Sequence, residues 1–185
     1  MFLLVSSTNT VALAETDQRG ETGKAAAREF TPMKEGTFLV TTAEDEAATL
    51  RDVHDQQVIT LADNPGVEVG EVIEGTVEAE PPLEVAYQLT EIDSRRTIPV
   101  ERSEMSPTTM EREMAAEQSE GDIEIRERAG DGEIHVLTVP EERTDQAAAD
   151  VVEDQETVAR AARLGVERVE VRAADGVVSV RYLPD

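Results

Sequence analysis

The groups able to do chemistry are few. His54 sits in Asp52-Val53-His54-Asp55, a nitrogen donor between carboxylates that would suit a divalent cation. His135 stands in an alternating run, pointing away from Ile134 and Val136. Nothing in the spacing brings residues 54 and 135 together: a turn between two strands accounts for the first, an ordinary strand position for the second. Carboxylates are abundant, 41 in 185 residues, so runs such as Glu44-Asp45-Glu46 and Glu141-Glu142 follow from composition alone. A glycosidase-like acid/base pair also needs a cleft and aromatic platforms; the chain has two Tyr, three Phe and no Trp. It has no Cys, which removes disulfides, thiolate nucleophiles and Cys-based metal centres. The phosphate-loop, dinucleotide, serine-hydrolase and zincin signatures do not occur. The expectation is no catalytic, cofactor-binding or metal residue and no enzyme activity, with a hydrolase built on carboxylates a distant third reading.

One pair of cations stands out. Arg95-Arg96 lies at the end of a β-rich stretch, 36–95, whose only other base is Arg51. Just before it, Val69-Gly70-Glu71-Val72-Ile73-Glu74-Gly75-Thr76-Val77 resembles the glycine-punctuated strand of RNA-binding OB-type barrels of the S1 and TRAM kind. The resemblance covers about ten residues. It implies single-strand binding, in which exposed aromatics stack bases and cations follow phosphates. Phe38 and Tyr87 alternate with polar residues as core positions do, so Arg95 and Arg96 are the candidate nucleic-acid contacts, and no basic patch surrounds them.

Charge describes the solvent before it describes a partner. The net charge is −24, and the bases are 15 Arg and two Lys, Lys24 and Lys34. Such self-repulsion opposes a compact state in dilute buffer. At 1 M salt the Debye length falls to about 3 Å and most of that repulsion disappears. An acid-rich, Lys-poor surface therefore points to a cytoplasm of molar salt, in which acidity says little about partners. Residues 1–35 do not share the bias: their net charge is −1, against −12 for 36–95 and −11 for 96–185. No base precedes Arg19 and the apolar run Phe2–Val5 is short, so a secretory signal is not supported. The leader is expected to be disordered, or to precede a true start at Met33. No stretch reaches the ~20 apolar residues of a membrane-spanning helix.

The elements that would position these groups are mostly strands. Short alternating runs at 36–42, 47–53, 57–61, 69–78 and 84–92 predict five strands, with Asp63-Asn64-Pro65-Gly66 as a turn. Gly70 and Gly75 inside one run predict a bulge or sharp bend. Five short strands over 36–95 bury their faces most simply as a small OB-like barrel. A linker, 96–121, carries a helix at 107–118 in which Met110 and Met114 pack. Residues 122–185 read β-β-α-α-β-β: strands 122–128 and 133–139 about Gly130-Asp131-Gly132, helices 142–152 and 155–164, and strands 167–173 and 177–183 about Ala174-Asp175-Gly176. Asp154 is the expected N-cap and Gly165 the helix stop. The second hairpin shows one dry face (Val169, Val171, Val178, Val180, Tyr182) and one charged face (Arg168, Glu170, Arg172, Arg181). The predicted class is β-rich α+β.

Four segments together resemble a family of small acidic haloarchaeal proteins of unknown function: Gly36-Thr37-Phe38-Leu39-Val40-Thr41, Asn64-Pro65-Gly66-Val67-Glu68-Val69-Gly70, Pro81-Pro82-Leu83-Glu84-Val85-Ala86 and the ending Val178-Ser179-Val180-Arg181-Tyr182-Leu183-Pro184-Asp185. That resemblance implies a halophilic archaeal cytoplasm, a start just before Gly36, and no assigned catalytic residue. The functional expectation is a non-enzymatic binding or adaptor module that meets a protein partner at a sheet edge or a barrel mouth. An OB-like protein associated with RNA or single-stranded DNA is the alternative.

Overall fold

Consecutive apolar residues in a strand must face two ways, and the first strand shows what that requires. Phe38, Leu39 and Val40 are all fully buried, so β1 (Met33–Ala43) is covered on both sides. Phe38 and Val40 face an interior shared with Leu50, Ile59, Leu61, Ile73 and Val77. Leu39 faces a second core built largely from the C-terminal half. A computed structural model describes residues 32–82, 85–128 and 132–184.

The first sheet contains β1, β2 (Ala48–Asp52), β3 (Val58–Leu61), β4 (Glu71–Ala79) and β5 (Tyr87–Thr97). Pairing runs β1-β2-β3-β5-β4 and returns from β4 to β1. The thinnest link is the parallel contact of β3 with β5, made by Leu61 and Tyr87 and by the Ala62 amide donating to the Tyr87 carbonyl at 2.8 Å. All five expected strands form. β1 begins at Met33 and so takes in residues 33–35; the rest of the expected leader, 1–31, lies outside the described residues. The expected bulge is present, but the extra residues are Thr90 and Asp93 of β5, which have no counterpart opposite Glu74–Val77. Gly75 supplies the room: a Cβ there would lie 2.1 Å from the Glu91 carbonyl oxygen. In the 63–66 turn, the Asn64 Oδ1 accepts the amides of Gly66 and Val67 at 2.9 and 2.8 Å, and Gly66 has φ +85°.

The second sheet has five strands in the order β6-β9-β10-β8-β7: β6 (Val100–Arg102), β7 (Ile123–Glu127), β8 (Glu133–Thr138), β9 (Arg168–Ala174) and β10 (Val177–Leu183). The sequence predicts four of these as an antiparallel unit. The fifth, β6, comes from the presumed linker and pairs parallel to β9, so this sheet too is mixed. The turn at Gly130-Asp131 lies outside the described residues. At the other hairpin Asp175 and Gly176 both have positive φ, 52° and 80°, as a two-residue turn of primed type demands.

Three α-helices complete the fold: α1 (Thr109–Ala116), α2 (Thr144–Glu153, after a 3-10 turn at Glu141–Arg143) and α3 (Gln155–Leu164). The Asp154 side chain caps α3 by accepting the Glu156 amide, and Gly165 ends it in the left-handed region, both as the sequence predicts. α1 starts two residues later than expected because Thr108 and Glu111 form a reciprocal capping box.

The halves are not joined by a free linker. Leu39 and Val72 of the first sheet, with Val53 just after β2, share one core with Ala159, Ala162, Val166 and Val169. The Arg163 Nε donates to the Val53 carbonyl at 2.6 Å, Gln155 Nε2 to the Thr41 carbonyl at 3.1 Å, and Arg51 pairs with Glu156. A boundary at 95/96 would cut β5, which continues to Thr97 and leads through buried Ile98 to β6. The charged face of the second hairpin is also largely covered, with Arg168 left exposed. α1 lies over part of it and places Glu111, fully buried, 3.4 Å from the Arg181 Nε, while Glu170 pairs with Arg172 and Arg181.

Candidate functional site

Opposed residues in an antiparallel ladder share a face. The registers Ile123↔Leu137, Ile125↔His135 and His135↔Val180 therefore put Ile123, Ile125, His135, Leu137 and Val180 on one side of the second sheet. α2 and α3 lie on this side and cover β9 and β10, burying Val169, Val171, Val178, Val180 and Tyr182. The helices stop short of β7. Ile123 and Ile125 are left 56% and 54% exposed, and together with α3 they line a groove of about 330 Å³.

The polar groups of this groove are tied to one another. The Arg160 guanidinium donates to both Glu133 oxygens at 2.6 and 2.7 Å, and the His135 Nε2 lies 2.9 Å from Glu133 Oε2. Burial opposes ionisation of Glu133, but hydrogen bonds from Arg160 and His135 outweigh it and hold the carboxyl below its usual range. The His135 ring rests against Tyr182, centroids 4.8 Å apart. Burial pushes the Tyr182 phenol up to about 12, so it stays protonated and able to donate at neutral pH. The result is an apolar floor with a fixed polar wall.

This network sets a pH dependence. Glu133 has a depressed pKa in the folded chain, so its stabilisation is present above the ordinary carboxylate range and fades as pH falls through the depressed value. Glu133→Gln is expected to cost about 1–2 kcal/mol at pH 7, and the difference from wild type should shrink near pH 3. Melting curves at both pH values check it; an undiminished difference at pH 3 would contradict it.

Arg95 and Arg96 are adjacent on β5, and their side chains separate to different partners. Arg95 donates to Glu71 Oε1 at 2.8 Å and to the Gly66 carbonyl at 2.6 Å. Arg96 donates to Glu167 Oε1 at 3.2 Å and reaches the Val166 carbonyl at 3.4 Å. One ties β5 to the turn before β4, the other ties β5 to the second sheet. His54 is exposed in a turn held by the Asp52 Oδ1, which accepts the amides of His54 and Asp55 at 2.8 and 3.3 Å. Lys34 pairs with Asp52 at 2.8 Å and Asp55 at 2.7 Å. Among the described residues, no group of three or more His, Asp or Glu is placed to hold a metal ion. Glu35, Glu74 and Asp93 line an open recess beside Gly36 and Gly75. No base or aromatic side chain lines that recess.

Sequence patterning does not reveal the groove. The alternation Ile123-Glu124-Ile125-Arg126 is visible and reads as a half-buried strand; only the reach of α2 and α3 decides that its apolar side stays open. The capping box at Thr108–Glu111 does have a signal, the T-x-x-E spacing.

Fold and groove together define a class: an acidic, β-rich α+β protein with two mixed five-stranded sheets and an uncovered apolar strip beside an edge strand. Residues 34–173 match a family of unknown function (DUF5812), and the chain belongs to that family. The match takes in three of the four segments that resemble the small acidic proteins; the ending 178–185 lies beyond it. No curated protein and no solved structure matches the chain. No helix among the described residues is long and apolar enough to cross a membrane.

Proposed function

We propose that the protein is a non-enzymatic binding module of a salt-rich cytoplasm, and that its working surface is the groove over Ile123, Ile125 and Leu137. One observation carries this reading: two isoleucines stay more than half exposed side by side on a sheet face, where they line a groove with residues of α2 and α3. Neighbouring exposed apolar side chains beside a concave wall mark a place where another protein is covered. The partner segment that fits brings apolar side chains to the floor and basic groups to a molecule of net charge −24.

The test is retention from lysate at 2 M KCl on wild-type and Ile123→Asp baits. A stoichiometric protein held by wild type and lost with the variant is expected; equal retention, or none, overturns the reading. The strand order, with its Greek-key return and parallel β3–β5 contact, supports a second reading in which the first sheet is an OB-like barrel that associates with RNA or single-stranded DNA. Labelled oligonucleotide added to the same preparations separates the two. Binding weakened by Arg95→Ala/Arg96→Ala would favour the second reading, although both arginines already have carboxylate partners.

A further inference from the structure

We propose that β7 pairs with β7 of a second copy of this chain, antiparallel and centred on Ile125, to make a continuous ten-stranded sheet. β7 is an edge strand, with β8 its only strand partner among the described residues. Its ladder with β8 is regular, without a bulge, and the strand Ile123-Glu124-Ile125-Arg126-Glu127 has no Pro; what guards this edge is its charge, and Glu124 and Arg126 are of opposite sign.

The direction of its backbone groups can be worked out. The Arg128 amide donates to the Gly132 carbonyl at 2.8 Å, and the Asp122 carbonyl accepts the Thr138 amide at 3.2 Å. Backbone groups alternate along an antiparallel strand, so residues 122, 124, 126 and 128 turn theirs toward β8. Ile123, Ile125 and Glu127 turn theirs outward, a row of donors and acceptors with no strand partner among the described residues.

A two-fold axis perpendicular to the sheet then leaves three central registers. Centring on Ile125 sets Ile125 against Ile125 and Ile123 against Glu127. It also sets Glu124 against Arg126 twice, on the opposite face, and every outward backbone group of β7 finds a partner. Centring on Glu124 sets Glu124 against Glu124 beside two Asp122–Arg126 pairs, and centring on Arg126 sets Arg126 against Arg126 beside two Glu124–Arg128 pairs; only the centre at Ile125 opposes no like charges. Directly opposed like charges destabilise a pair of strands and unlike charges stabilise it. The strand is therefore free of like-charge opposition in one register alone. In the single chain Arg126 already lies 3.0 Å from its own Glu124, so the four charges of the pair would form one alternating cluster. The axis keeps the helix-bearing faces on the same side, and the exposed isoleucines of both chains meet in one strip between the two helix layers. Two strongly anionic chains repel at low ionic strength, so the association should strengthen with salt.

The experiment is sedimentation equilibrium of the full chain in 2 M KCl, with circular dichroism to verify folding of every variant. Wild type should approach twice the 20.2 kDa chain mass. Glu124→Arg, which sets Arg against Arg, should weaken association about tenfold or more, and Arg126→Glu should do the same. An equimolar mixture of the two variants should recover the dimer, because each then meets its opposite charge. Ile125→Pro removes only an outward donor and should give a folded monomer. A wild type that stays monomeric at high concentration, a Glu124→Arg variant that associates like wild type, or a mixture that does not recover overturns the proposal. This inference does not rest on the partner-binding reading. Glu124 lies on the face away from the groove, so Glu124→Arg can abolish pairing while retention of a partner persists.

Discussion

Raising KCl from 0.1 M to 2–3 M is expected to raise the melting temperature by about 10 °C or more. Salt acts on attraction and on repulsion at once, with opposite effects on stability. Ion pairs such as Lys34–Asp52, Arg95–Glu71 and Arg160–Glu133 weaken on screening. Each is worth little at a surface, and the more buried members are screened least. Repulsion among the remaining carboxylates grows roughly with the square of the net charge, and at −24 on 185 residues it outweighs the ion pairs. The Debye length drops from about 10 Å to 3 Å or less over this range, which removes repulsion between neighbours on the surface while leaving buried pairs largely intact. Circular dichroism melts in KCl, with an uncharged osmolyte as the control for preferential exclusion, measure the effect. Equal melting points in dilute and concentrated KCl would overturn both the sign and the proposed high-salt setting.

Gly75→Ala is expected to destabilise the chain by about 3 kcal/mol, a fall of roughly 6–12 °C in melting temperature for a domain of this size. The new Cβ would lie 2.1 Å from the Glu91 carbonyl oxygen and 3.3 Å from the Ile92 Cα, both backbone atoms of β5. A flexible side chain could swing away, but a strand held by its ladder cannot. β5 approaches so closely because it carries the extra residues Thr90 and Asp93 and curls across β4 at this point. Gly121→Ala is the matched control: it also replaces a glycine, at φ +91° but with nothing within 4 Å, and should cost about 1–2 kcal/mol through the backbone alone. Denaturant melts of both variants check the ranking. A Gly75→Ala protein as stable as wild type would mean that β5 does not cross β4 this closely.

The strands of the first sheet are legible because alternation and turn chemistry are local. Asn64 and Gly66 make their turn with contacts inside four residues, and Asp154 and Gly165 bound α3 by bonds to neighbouring amides and carbonyls. β6 is not legible. Three residues, Val100–Arg102, have too little pattern of their own and become a strand because β9 offers an unpaired edge alongside. Arg95 and Arg96 read as one basic pair since they are adjacent in sequence, yet in a strand adjacency means divergence. Arg181 reads as part of the charged face of the second hairpin; α1 brings Glu111 to it from far along the chain and buries that carboxylate completely.

By itself the amino-acid sequence determined the β-rich α+β class, the caps and turns, the anionic surface and the absence of thiol chemistry, all of which depend on residue type and on spacing within a few positions. The tertiary structure alone decided that the two halves share a core, that Leu39 and Val72 serve the second of two interiors, and that Ile123 and Ile125 stay uncovered. Those outcomes depend on which face of one element another element reaches, and that reach is set by the packing of residues far apart along the chain.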